Sequence, residues 1–177
     1  MIAQFLPQMA AALRPLKQYL RLIILPVLLL ALALRLFQLD AQSLRGDEAA
    51  TVLYSALPLS ELWELARITD PHPPLYYALL HPWQAALGDG AWVMRFAGVL
   101  TSVLAVAALY RLANLTLRSV ALSLLAALLL AVNPLQIWLA QDIRAYSLFT
   151  LLGLLSSWAL WAALTKQIPD SRLQIPE

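Results

Sequence analysis

Residues 22–39 read LIILPVLLLALALRLFQL, eighteen positions with a single charge, Arg35. As a helix such a run crosses most of a bilayer's hydrocarbon core, and three further apolar stretches follow at 94–112, 117–136 and 145–165. Backbone polar groups in lipid must find partners inside the protein, which leaves helices or closed barrels. Leu and Ala dominate these stretches, and both favour helix. Charged residues make up 12% of the chain, about half the share of an ordinary soluble domain. The expected fold is therefore an all-α integral membrane protein with about four transmembrane helices. The formal charge of +2 is small, with basic residues scattered at helix ends, so nucleic acid is not an expected partner. No cysteine is present, which excludes disulfides and thiolate metal sites.

Charge bias orients the spans. Residues 1–21, with Arg14, Lys17 and Arg21, read as a cytoplasmic or interfacial lead to a retained first span, because no small-residue cleavage site follows the apolar run. The stretch 74–88 has about fifteen residues and is interrupted by His81-Pro82, whereas a span needs roughly twenty. Keeping it outside the bilayer puts Arg111, Arg118, Lys166 and Arg172 in the cytoplasm with the lead. The transmembrane domain then covers 22–165, both termini are cytoplasmic, residues 40–91 form a large first outer loop, and 166–177 form a tail. Within that loop SELWELARI has apolar residues at helical spacing and reads as a helix lying on the membrane surface. Arg35, near the end of the first span, is expected to snorkel toward the headgroups.

Four polar segments converge on the outer face in this arrangement: RGDE (45–48), DPHPPLYY (70–77), MRF (94–96) and AQDIRAYS (140–147). Ionisable groups at membrane depth are costly, and usually face a cavity, pair with each other or mark a functional path. A carboxylate there can take a proton from an incoming hydroxyl or amine, or hold a divalent cation. Asp47, Glu48 and Asp142 are the candidates for either task. Arginine grips phosphate oxygens bidentately, so acids and arginines beside lipid suit a lipid phosphate. Pro73-Pro74 sets His72 on a rigid corner that starts a helix, with Tyr76 and Tyr77 in its first turn. Tyr76 and Tyr77 either line a site or belong to an interfacial aromatic belt, the reading given to Trp63, Trp83 and Trp92. Asn133-Pro134 loosens the outer end of the third span. Asp142 and Arg144, two apart, do not share a helical face and are expected to have different partners.

The ordered set LRLFQLDAQSLRGDEAAT, HPPLYYALLH, RFAGVLTSVLAVAALYRLA and AVNPLQIWLAQDIRAYSL resembles the N-terminal part of GT-C class membrane glycosyltransferases. The family in question includes protein O-mannosyltransferases, the aminoarabinose transferase of lipid A and rhizobial lipopolysaccharide galacturonosyltransferases. The resemblance covers roughly residues 20–165. It implies transfer of a sugar from a polyprenyl-phosphate carrier to a lipid, glycan or protein acceptor at the outer face of the plasma membrane, with inversion at the anomeric carbon. The family's first-loop acidic pair falls on Asp47 and Glu48, with Asp47 the general base and Glu48 supporting it or binding metal. Its second acidic motif falls on Gln141, Asp142, Arg144 and Tyr146, and its His-Pro-Pro-Leu element on 72–75. Arg144 and Arg95 would hold the carrier phosphate, and His72 and Tyr76 would line the site. Asp142 stands where Glu is commoner, and Arg45 where an aromatic or apolar residue is. Such enzymes usually have more spans, so the resemblance also implies a truncated chain or one part of a split enzyme with a complementary subunit. The competing expectation is a non-catalytic scaffold or partner subunit whose outer charges only lock the loops. A transporter is disfavoured because the charges cluster at helix ends rather than mid-membrane.

Overall fold

The computed structural model describes residues 23–68 and 74–167. The lead, His72 and most of the tail lie outside the described residues. The described part is helical throughout: α1 (Ile24–Leu36), α2 (Gly46–Ser55), α3 (Leu59–Ile68), α4 (Leu75–Leu87), α5 (Ala91–Leu117), α6 (Val120–Val132), α7 (Pro134–Ala140) and α8 (Tyr146–Gln167). No strand occurs among the described residues, and the chain is an all-α membrane protein.

Helix α5, 27 residues long, is the axis of the bundle, packing against α8, α6, α1, α4 and α7. It runs beyond the expected 94–112 at both ends and stops where Arg118 enters the left-handed region at φ 52°. By length and apolarity, α5 and α8 can each cross a membrane, and α6 with α7 can do so as one broken span bent by 59°. Helix α1 has only 13 described residues, short of a full crossing. The third span is thus not the continuous 117–136 helix that its apolarity predicts. Asn133 turns extended, its side chain accepts the Gln136 N–H at 3.1 Å, and Pro134 opens a new helix, an N-cap followed by proline at the first helical position.

The expected first loop, residues 40–91, holds the short helices α2, α3 and α4. Helix α4 is 13 residues, in keeping with a segment that does not cross. It is tied down by Trp83, whose indole N–H donates to the Val93 carbonyl at 3.0 Å, and by His81, whose Nδ1–H donates to the Ser55 carbonyl at 2.8 Å. Leu62, Tyr76, Tyr77, Leu80, Met94, Ile143 and Leu148 form one apolar core under this loop; a second, around Ala31, Val106, Tyr110, Ala127 and Ala131, lies deeper between the spans. Helix α3 buries Leu62 and exposes Leu59 and Trp63.

Arg35 does not snorkel. It is fully buried among α1, α5 and α6, donating to Ser102 Oγ at 2.7 Å and to the carbonyls of Ala31, Ala131 and Leu130 at 3.0, 2.9 and 3.3 Å. The broken third span offers the carbonyls of Leu130 and Ala131 inside the bundle, and pairing them with the guanidinium satisfies groups that lipid could not.

Candidate active site

Helix α2 begins at the RGDE motif, and its first turn decides what each acid does. Asp47 and Glu48 are adjacent, so about 100° of helical rotation separates their side chains. Glu48 shares the inward face with Thr51 and Ser55, all three buried, while Asp47 is exposed. Both acids suit the positive end of the helix. Glu48 also reaches back to accept the Arg45 N–H at 3.1 Å, one half of a capping box, and Asp47 Oδ1 accepts the Glu48 N–H at 3.0 Å.

Inside, Glu48 meets Arg95 of α5 in a two-pronged pair, with Nε to Oε1 at 3.0 Å and Nη2 to Oε2 at 2.8 Å. The other Arg95 donors go to the carbonyls of Leu39, Gln42 and Ser43. All five N–H groups of the guanidinium are therefore engaged within the chain, and a contact to carrier phosphate would have to break this set. Glu48 Oε1 also accepts the Ile143 N–H at 3.2 Å. Burial pushes the Glu48 carboxyl up, but the Arg95 hydrogen bonds and the two backbone N–H groups outweigh it and hold the group below the usual glutamate range.

Asp142 sits in the turn between α7 and α8, 3% exposed, with Oδ2 at 2.8 Å from Arg45 Nη2. Burial outweighs that pairing and pushes its carboxyl above the usual aspartate range. Its Oδ1 has no hydrogen-bond partner, and neither does the buried Tyr76 hydroxyl. Burial first, then the Asp142 charge, pushes the Tyr76 phenol up, keeping it a proton donor. Arg45 is half-exposed and lies over the Trp138 ring, 5.1 Å from its centroid. The segments 45–48 and 142–143 thus stand against each other. The Asp142 side chain pairs with Arg45, and the backbone N–H of Arg144 donates to the Asp142 carbonyl at 2.8 Å, closing the turn.

The remaining candidates take other positions. Gln141 sends its amide N–H groups to the carbonyls of Arg35 and Phe37 at 3.1 and 2.8 Å, strapping the end of α1. Tyr146, partly exposed, opens α8. Among the described residues no three His, Cys, Asp or Glu side chains stand close enough to hold a metal ion. Of the three acids considered for a divalent cation, Glu48 and Asp142 are each engaged by an arginine and Asp47 is exposed. Two cavities flank the cluster. One of about 180 Å³ is lined by Phe37, Gln38, Gln42, Arg95, Ile137 and Gln141; the other, of about 220 Å³, is an apolar groove along Tyr76, Leu80, Trp83, Ala97, Leu100 and Leu148.

Sequence reasoning missed three contributors. Trp138 reads simply as an apolar position, yet it supports Arg45. Gly98 lets α7 approach α5 so closely that a Cβ there would lie 2.7 Å from the Ala140 carbonyl oxygen. The inward role of Arg35 needed its partner at 130–131, about 95 residues away. A lone arginine in an apolar run was the one available signal.

A family model described as dolichyl-phosphate-mannose-protein mannosyltransferase matches residues 71–171, more than half of the chain. The match contains Tyr76, Arg95, Gln141, Asp142, Arg144 and Tyr146; Asp47 and Glu48 precede it. No curated protein and no solved structure matches the chain. With its all-helical membrane architecture and this match, the chain belongs to the dolichyl-phosphate-mannose-protein mannosyltransferase family, membrane glycosyltransferases of the GT-C type.

Proposed function

We propose that this chain carries the catalytic acid of a transferase that moves a sugar from a polyprenyl-phosphate carrier to an acceptor at the outer face of the plasma membrane. The observation that carries the reading is the division of labour in the RGDE turn: Glu48 is buried against Arg95, whereas Asp47 is exposed and makes no ion pair among the described residues. In the reaction the acceptor oxygen attacks the anomeric carbon, the bond from that carbon to the phosphate oxygen breaks, and the configuration inverts. Asp47 takes the proton from the acceptor hydroxyl, and the carrier phosphate leaves with the bonding electrons. Arg45, half-exposed at the rim, is the arginine we assign to the charge that grows on that phosphate, since Arg95 is saturated by its own partners. The amide-lined cavity suits sugar hydroxyls and the apolar groove suits the carrier chain.

The scaffold reading draws on the same pairs, because Glu48–Arg95 and Asp142–Arg45 do lock the loops to the bundle. It gives the exposed Asp47 only a local task at the start of α2, where its Oδ1 accepts the Glu48 N–H, and no part in locking the loop to the bundle. The test is to supply the whole protein, in membranes, with the same sugar on polyprenyl phosphate or on a nucleotide. Transfer from the lipid-linked donor alone, with inverted product, is expected. Transfer from the nucleotide donor, or retained configuration, contradicts the proposal.

A further inference from the structure

The third span breaks at Asn133-Pro134, and the break leaves gaps in the backbone hydrogen-bond ladder. In an unbroken helix the Leu130 carbonyl would accept the N–H of residue 134 and the Ala131 carbonyl that of residue 135. Proline at 134 has no N–H. Asn133 turns extended and caps α7 instead, so the new helix's bonds start at Ile137 N–H to the Asn133 carbonyl. Both orphaned carbonyls lie at membrane depth, where unpaired polar groups are poorly tolerated. Arg35 supplies both donors, Nη1 to Ala131 and Nη2 to Leu130, while its Nε is fixed by Ser102 of α5. The guanidinium makes no salt bridge with any carboxylate among the described residues.

What the joint directs is the site. Beyond the 59° bend, α7 ends with Ala140 against Gly98, then Gln141 straps back to the α1 carbonyls of Arg35 and Phe37, and the next two residues are Asp142 and Ile143, which meet Arg45 and Glu48. We propose that Arg35 is a positioning residue: it locks the broken third span at the angle that delivers Asp142 and Ile143 to the RGDE turn. The consequence for sugar transfer rests on the reading given under Proposed function; the mechanical role does not.

The test uses the absence of cysteine. Nitroxide labels on Leu122→Cys and Leu135→Cys, both exposed positions on either side of the bend, report its angle by electron–electron distance in the whole, membrane-reconstituted protein. Arg35→Met is expected to broaden the distance distribution and lengthen its mean by about 1 Å, as the joint relaxes toward a straight helix of about 1.5 Å rise per residue. Arg35→Lys, which keeps a cation with fewer donors and guards against a misfolded Met variant, is expected to give a smaller change of the same sign. Pro134→Ala restores an N–H opposite Leu130, so it should recover much of the folded yield lost in Arg35→Met. Unchanged distances in both Arg35 variants, or a double variant no better than Arg35→Met, overturn the proposal. These readouts need no turnover, so a relaxed joint in a protein that fails to use the lipid-linked donor would retain this inference and reject the transferase reading.

Discussion

Two adjacent carboxylates in one motif have opposite surroundings, and a helix turn is the reason. Glu48 is enclosed by a forked arginine and two backbone N–H groups, whereas Asp47 faces outward. Removing one partner of such a buried pair costs about 3–5 kcal/mol. Glu48→Gln, which still accepts one hydrogen bond, should lose on the order of 3 kcal/mol at neutral pH. The sign with pH follows from the lowered Glu48 carboxyl: its contribution is present above the ordinary glutamate value of about 4.3 and is lost as pH falls through its own, lower value. Thermal unfolding of the wild type should therefore weaken in acid below that ordinary value, and the Glu48→Gln protein should show a flatter acid limb from a lower plateau. Asp142 has the opposite slope. Its carboxyl is raised by burial, so the native state keeps that proton longer and loses a little stability as pH rises from the ordinary aspartate value through the raised one.

At the level of elements, the contact between α5 and the end of α7 sets the distance between the two motifs. Gly98 touches the carbonyls of Ala140 and Asp142, both backbone atoms that cannot rotate away. Gly98→Ala should therefore cost about 1–3 kcal/mol by overpacking and should displace the Asp142 turn, lowering transfer beyond what the loss of folded protein explains; wild-type melting and wild-type turnover would remove Gly98 from this role. Much of the element layout was legible in the sequence. The apolar runs located α5 and α8, the interrupted stretch 74–88 gave a helix of only 13 residues, and Asn133-Pro134 was legible as a loosened span end, though not as a 59° break. The inward turn of Arg35 was not legible, because snorkelling is judged from one helix and its acceptors belong to another. Asp47 and Glu48 were given different roles only by resemblance; their opposite burial was not legible, because 44–55 carries no alternation strong enough to announce the helix that separates them.

At the scale of the whole molecule, three of the arginines hold distinct posts: Arg35 seals the bundle interior, Arg95 fastens the first loop, and Arg45 is left half-exposed at the rim. The convergence of RGDE with AQDIRAYS was readable from charge bias, which put both on one side of the membrane. Their pairing partners were not, since both cross-links join positions about 50 to 100 residues apart. The outward assignment is testable where the chain is open: a Cβ added at Gly46 would meet nothing within 4 Å. Gly46→Cys in this cysteine-free chain should react with a membrane-impermeant maleimide in intact cells; labelling only after permeabilisation would put the motif on the cytoplasmic side.

The most direct measurement is the rate of sugar transfer from the polyprenyl-phosphate donor, per molecule of folded protein, for Asp47→Asn in the whole protein. Loss of a general base predicts a fall of roughly 10²- to 10⁴-fold with membrane insertion and melting temperature unchanged. Transfer at the wild-type rate, or a loss of folded protein in place of a loss of rate, would contradict the account.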